Sequence, residues 1–402
     1  MMSTDVIDGP LPVFTTEEYR RRVGRIQERM ALERLDALLL TSEANFRYVT
    51  GFNNQSWVNL ARPRYCVVPA DGDPIVVLPQ TNIVAMRETS WVEDVRTWPA
   101  PRPADDGITL LVDALRGCLG SHHRFGAELG PESRLGMPVG DFLRVRDALR
   151  HAEFADGAAL MSALRMIKSP AELARCRRIA EIASTAFEAL PEALRVGDTE
   201  RIACRKLQIA LLQRGADKSP YLIGASGRGG YAAINLGPTD RVLERGDVLI
   251  IDTGSTVDGY FCDFDREFAF GGPCDEVRRA YERVWRATEA GIAAVRPGRR
   301  CSEVWQAMAE VLGAEAVRGS NVGRMGHGIG LLLTEPPSIH PEDATVIEAG
   351  MLLTVEPGIS FTVRTGSGDE RKVMVHEENV AVTEDGCVLL SRRAPPEIWV
   401  VD

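Results

Sequence analysis

Five residues in the C-terminal part of this 402-residue chain have the types and spacing to do chemistry together: Asp252, Asp263, His327, Glu356 and Glu377. Asp252 closes the apolar run Val248-Leu-Ile-Ile-Asp252. A carboxylate there is badly desolvated unless a positive charge joins it. Asp263 comes eleven residues later, past the turn Asp258-Gly259, so a hairpin brings the two aspartates back beside one another. His327 stands in Gly326-His-Gly-Ile-Gly330, Glu356 in Thr354-Val-Glu-Pro-Gly358, and Glu377 in Val375-His-Glu-Glu378. Taken singly, each has an ordinary explanation as a cap, a surface group or a turn. Four carboxylates and an imidazole converging in one sheet would repel unless cations sat between them. Two bridged divalent ions solve this, and they also make a hydrolytic site: one polarises a carbonyl, and together they acidify a shared water. Oxygen-dominated ligation favours manganese, iron or cobalt over a structural zinc.

Strand-like runs must carry these residues. Beyond residue 220 such runs alternate with Gly and Pro turns, at 247–252, 260–270, 351–355, 372–375 and 379–383. Two helices, at 273–295 and 302–312, lie among them. The pattern predicts an α+β domain with a curved antiparallel sheet. A smaller α/β domain precedes it. Its expected elements are a helix at 15–32 capped by Thr16, strands at 35–40, 65–68, 74–78 and 125–129, and a helix at 108–119. The boundary is placed at 160/161, giving domains 1–160 and 161–402. Just beyond it, Ser169 and Glu172 form a capping box with Pro170 at the first helical position, so a long helix runs from Pro170. Another follows at 198–215, with Thr199 as a cap.

Acidic residues outnumber basic ones, 57 to 47, a balance that argues against nucleic-acid binding. Eight scattered cysteines, none in CxxC spacing, argue against a thiolate zinc site and read as reduced thiols. Residues 1–10 contain Asp5 and Asp8 and lack a basic segment leading into an apolar one, unlike a signal peptide. No apolar run approaches the roughly 20 residues that span a bilayer. A cytoplasmic protein without membrane partners is expected.

The succession of IDTG, GYFCDFDREF, GHGIG, EPG and a glutamate before a strand resembles the pita-bread metallohydrolase family, which contains creatinase, aminopeptidase P, prolidase and methionine aminopeptidase. LRMIKSPAEL at 164–173 resembles that family's entry into its catalytic domain, and AGMLLTVEPG at 349–358 its later strand. The two-domain layout is that of the creatinase and prolidase branch. The resemblance implies a pita-bread catalytic domain behind a creatinase-type N-terminal domain. It implies that Asp252, Asp263, His327, Glu356 and Glu377 hold two divalent ions, manganese foremost, with iron, cobalt or zinc as alternatives. Asp263 and Glu377 would bridge, and Glu356 would also act as general base. The reaction implied is cleavage of an amide C–N bond, as in Xaa-Pro dipeptidase or aminopeptidase P.

Two positions depart from the peptidase pattern. Asn235 and Thr334 stand where family peptidases carry histidines that hold the substrate and the developing oxyanion. Both can donate hydrogen bonds, but neither can become a cation. They are counted as catalytic together with Glu356. Their presence supports an alternative: a small-metabolite hydrolase or lyase on the same fold, akin to creatinase, ectoine hydrolase or dimethylsulfoniopropionate lyase. A non-catalytic binding module is the third possibility, at odds with a full set of metal ligands. Arg62, in Leu60-Ala-Arg-Pro-Arg64, resembles a creatinase arginine that reaches a neighbouring subunit's site. It implies a homodimer and binding of a substrate carboxylate. Phe52 and Trp57 either wall a pocket or pack locally. His376 points away from Glu377 if both lie on a strand, a structural role. Arg266 is expected to pair with a carboxylate behind the metals.

Overall fold

A computed structural model describes residues 11–313, 323–366 and 368–402. The expectation for residues 1–10 lies outside them. Two compact units are present, Val13–Arg165 and Met166–Asp402, the second also taking in Pro12.

In the first unit the strands are β1 (Ala37–Leu40), β2 (Tyr65–Pro69), β3 (Ile75–Pro79), β4 (Asp94–Trp98), β5 (Arg124–Ala127) and β6 (Glu153–Asp156). They form one six-stranded sheet in the order β4-β3-β2-β1-β5-β6. β2 runs antiparallel to both β1 and β3, and the outer pairings are parallel. Leu39, Val67, Val77, Leu111, Leu115 and Phe125 pack as its core. The first helix spans Thr16–Glu33 and its cap is Thr15, one residue before the expected Thr16: Thr15 Oγ1 accepts from Glu18 N–H at 3.2 Å. Phe52 and Trp57 pack locally, each edge-on to Phe46. The arginine buried in this region is Arg64, over the Trp57 ring. Arg62 is exposed, with φ 64°.

The second unit begins with the Pro170–Ala193 helix, whose Ser169–Glu172 capping box closes reciprocally. The Glu200–Gln213 helix follows, capped by Thr199. The expected single curved sheet is two five-stranded sheets and a hairpin. One sheet holds β7 (Lys218–Arg228), β8 (Asp247–Val257), β9 (Tyr260–Phe261), β10 (Phe264–Phe270) and, last in the chain, β18 (Trp399–Val401). The other holds β11 (His327–Gly328), β12 (Glu335–Ser338), β13 (Leu352–Val355), β16 (Glu378–Val382) and β17 (Cys387–Leu389). β14 (Gly358–Thr365) and β15 (Gly368–Val375) pair as the hairpin. The Asp275–Ala294 and Cys301–Leu312 helices bury Val277, Val284, Val304 and Met308 against Val248, Leu353 and Val380. Each fully buried side chain of this kind contributes roughly 1.5–3 kcal/mol relative to exposure. β8 is buried along its whole length except at Asp252, which is half-buried. An apolar run without alternation is what a strand covered on both faces requires. No helix among the described residues is long and apolar enough to cross a membrane.

Candidate metal centre

The acidic residues sit where strands break or where strands meet. Asp252 lies inside β8, which continues past it to Val257. Its register partner across the hairpin is Asp265 rather than Asp263. The expected strand at 260–270 is interrupted at Cys262 and Asp263. That break takes Asp263 off the ladder and leaves its side chain in a cavity with Asp252. Glu356 directly follows β13, and Glu377 fills the gap between β15 and β16. His327 opens β11 in a glycine-tight turn. A Cβ at Gly326 would lie 2.2 Å from the Thr354 carbonyl oxygen, and one at Gly328 2.2 Å from that of Pro336. Only glycine permits so close a backbone approach.

Asp252, Asp263, His327, Glu356 and Glu377 line one cavity of about 370 Å³, and Asn235 and Thr334 line it with them. Single ligand atoms of Asp263, His327 and Glu377 all lie within 4.8 Å of one another. His327 Nε2 is 3.5 Å from Asp263 Oδ2. Its Nδ1 lies 2.8 Å from the Gly328 carbonyl oxygen, which assigns the ring proton to Nδ1. The Nε2 lone pair then faces the carboxylates, the arrangement metal-binding histidines adopt. Asp252 Oδ1, Asp263 Oδ1 and Glu377 Oε1 are buried and have no hydrogen-bond partner. Orphaned carboxylate oxygens are costly in a protein interior, and a cation satisfies them. The donor set therefore fits divalent metal.

Burial pushes Asp252 up to about 7. Burial and then the Asp252 charge push Glu356 up to about 8. Asp263 and Glu377 are also raised well above the carboxylate range by burial and by their acidic neighbours. Burial, then Arg324, takes His327 down to about 4, so the ring is neutral. A stability signature follows for the metal-free protein. Carboxyls whose folded-state pKa is raised stabilise the fold at low pH, and that contribution is lost as pH rises through about 7 to 8. His327 acts in the opposite sense, but only below its unfolded value of 6.5, so the carboxyl effect stands clear of it above that pH. The melting temperature of metal-free protein should fall between about pH 6.5 and 8, and added manganese should remove the fall. A flat or rising metal-free profile would contradict this.

Behind the cavity, Arg266 holds the ligand-bearing backbone. It donates to the carbonyls of Asp265 at 2.6 Å, Glu377 at 3.1 Å and Arg392 at 2.6 Å, and to Glu378 Oε2 at 3.0 Å. Asn379 Oδ1 accepts from the Asp263 N–H at 3.0 Å, and Asp265 Oδ1 from the Glu377 N–H at 3.1 Å. His376 is buried away from the cavity, its ring between Thr288 and Arg393. Arg62 belongs to the other unit. Two cavity residues escaped sequence reasoning. Tyr221 lines the cavity with Asp252. Arg324, three residues before His327, donates to Thr334 Oγ1 at 3.3 Å. The cation that Asn235 and Thr334 cannot supply is thus present on a neighbouring residue.

The model for Metallopeptidase family M24 matches residues 174–384, and that for the Creatinase/Prolidase N-terminal domain matches residues 22–167. The chain is 30% identical over 392 residues to the probable dipeptidase PepE of Mycobacterium tuberculosis, across 96% of this chain and 98% of that protein. It is 26% identical over 374 residues to the Xaa-Pro dipeptidase of Pyrococcus horikoshii, across 92% and 97%. Among solved structures, dipeptidase PepE from Mycobacterium ulcerans superimposes with a TM-score of 0.82 at 29% identity, covering 97% of this chain and 100% of that one. Prolidase from Thermococcus sibiricus shares the fold with a TM-score of 0.83 at 24% identity, covering 97% and 100%.

Proposed function

From a chain that belongs to metallopeptidase family M24, and is therefore a metal-dependent peptide hydrolase, we propose a narrower activity: hydrolysis of Xaa-Pro dipeptides at a centre of two divalent ions held by Asp252, Asp263, His327, Glu356 and Glu377. The observation that carries it is the quartet of carboxylates lining one cavity, three with a buried, orphaned oxygen, around the free Nε2 of His327. Relatives named Xaa-Pro dipeptidase support the substrate class. The cavity, about 370 Å³, suits a small ligand. Manganese is the metal this oxygen-rich set favours. A cytoplasmic homodimer is part of the reading, with the exposed Arg62 completing the pocket of the neighbouring subunit. A monomer in sedimentation at working concentration removes that part.

When bound, the ions would polarise the scissile carbonyl and lower the pKa of the attacking water. The remaining steps belong to side chains. Glu356 takes one proton from the water as its oxygen bonds to the carbonyl carbon. It returns that proton to the amide nitrogen as the C–N bond breaks. Asn235 and Thr334 border the same space and hydrogen-bond the substrate there. Asp265 and Arg266 keep the Glu377 backbone in place.

A second reading keeps the fold and metals but changes the substrate to a non-peptide amide, cyclic amidine or related small metabolite. The Asn235 and Thr334 substitutions favour it. The test is a substrate panel with manganese-loaded protein, wild type and Asn235→Ala. Xaa-Pro dipeptides should be hydrolysed, and Asn235→Ala should lower kcat by about 10²–10³-fold, the cost of losing one oxyanion donor. A non-peptide amide turned over about 10²-fold faster than any dipeptide would move the assignment to the second reading. Hydrolysis of neither class would sink both.

A further inference from the structure

Lys168 carries a buried charge that the metal centre does not use. It stands just before the capping box of the Pro170–Ala193 helix, and its ammonium pairs with Glu335 Oε2 at 3.2 Å. Both side chains are 2% exposed. A buried pair of this kind gains little stability over apolar side chains of the same volume, since both charges give up water. What it can add is direction, because each partner must meet the other in one place. Here that place is the bend at 330–335. Glu335 Oε1 accepts from the Leu332 N–H at 3.1 Å, and the Gly330 N–H donates to the Leu332 carbonyl at 3.1 Å. A Cβ at Gly330 would lie 3.0 Å from both Lys168 Cε and Glu335 Oε2, so the bend is closed onto the pair.

The bend carries two side chains of the metal cavity. Leu333 and Thr334 line it, and Thr334 comes directly before Glu335. Residues 331–334 belong to no strand, so no ladder of backbone bonds sets their course. Thr334 Oγ1 accepts from Arg324 at 3.3 Å, near the limit of a hydrogen bond, so a small shift of the bend parts them. Lys168 is itself held fast. Its N–H donates to the Gly350 carbonyl at 2.9 Å, and Ile167 bridges to Met351, the residue before β13. The pair thus ties Thr334 to the base of the strand that leads to Glu356.

We propose that Lys168 is a positioning residue for the hydrolysis: its ion pair with Glu335 fixes the 330–335 bend and so holds the Thr334 hydroxyl at the substrate's place in the metal cavity. The proposal rests on the amide-hydrolase reading above, in which Thr334 bonds the substrate. Lys168 is not among the residues that line the cavity, and it acts through Thr334.

The experiment is a double-mutant cycle on manganese-loaded protein: wild type, Lys168→Met, Thr334→Val and both together. Each is assayed on alanyl-proline and on the best non-peptide amide of the substrate panel, with bound metal and thermal midpoint measured alongside. Each single variant should lower kcat/KM by about 3- to 10-fold, the worth of one hydrogen bond, at unchanged metal content. In the Thr334→Val background, Lys168→Met should cost less than about twofold more, because its route to the substrate is already gone. A merely structural lysine costs the same in both backgrounds, and that result overturns the proposal. So does either single variant without effect on a hydrolysed substrate. Lys168→Met leaves the Glu335 charge buried without its ammonium. Should it not fold, Lys168→Met/Glu335→Gln takes its place in the cycle, removing both charges while keeping an oxygen for the Leu332 N–H. Crystal structures read the same tie without turnover. With the pair removed, Thr334 Oγ1 should stand more than about 3.5 Å from the Arg324 guanidinium. Thr334 unmoved overturns the proposal whatever the kinetics show. No hydrolysis of either amide, with Thr334 displaced, sinks the amide-hydrolase reading alone.

Discussion

Replacing Glu356 with glutamine should stop turnover while leaving the fold and the other four metal-binding side chains in place. Glutamine keeps the size and one oxygen of the side chain, so Asp252, Asp263, His327 and Glu377 still converge. It cannot take a proton from the attacking water or return one to the leaving nitrogen. Loss of a general base costs about 10²–10⁴-fold, and weaker holding of one ion adds to that. The Glu356 N–H donates to the Met325 carbonyl at 3.0 Å, a backbone bond that the substitution leaves alone. The result to look for is a collapse of kcat with an unchanged circular dichroism spectrum. Near-normal kcat in metal-loaded Glu356→Gln would remove the base from this position.

Arg266→Met should destabilise the second unit by about 3–5 kcal/mol, the usual cost of breaking a buried ion pair from one side. Arg266 is 2% exposed, and its partners Asp265, Glu377 and Glu378 are buried with it. Methionine fills the volume but leaves the carbonyls of Asp265, Glu377 and Arg392 without their donor. Glu378 keeps Arg393 Nη1 at 3.0 Å, the Ala394 N–H at 3.0 Å and the Ser391 hydroxyl. The loss therefore falls mainly on the backbone that presents Glu377, and metal affinity should drop together with stability. Arg266→Lys should not rescue it, because an ammonium cannot span three carbonyls and a carboxylate in one plane. Urea unfolding reads the first effect and metal titration the second. A loss under about 1 kcal/mol would show that the network is not a keystone.

What the sequence disclosed was local. The apolar run 248–251 and the Ser169–Glu172 box are determined by neighbours in the chain, and both appear in the structure. What it concealed depended on pairing across the fold. Asp252 faces Asp265 because of hairpin register, and a break at Cys262 and Asp263 turns Asp263 into the cavity. Counting residues cannot locate that break. The β14–β15 hairpin was only half legible, because Thr362, Arg364, Asp369 and Arg371 interrupt the apolar signal on exposed faces. Arg324 carried no signal alone. Its meaning comes from Thr334, ten positions on, which the turn after β11 brings to it. Arg62 stood out only by its Arg-Pro context, and the environment of its own unit gives it an exposed, left-handed position.

Metal stoichiometry tests the central claim most directly. Purified protein stripped of metal and dialysed to equilibrium against manganese, with iron, cobalt and zinc in parallel, should retain close to two ions per chain by elemental analysis. His327→Ala and Asp263→Ala should each retain fewer, because the orphaned oxygens and the free Nε2 that hold the ions are then incomplete. Protein that keeps no stoichiometric ion of any of the four metals, while folded, would contradict the account at its base.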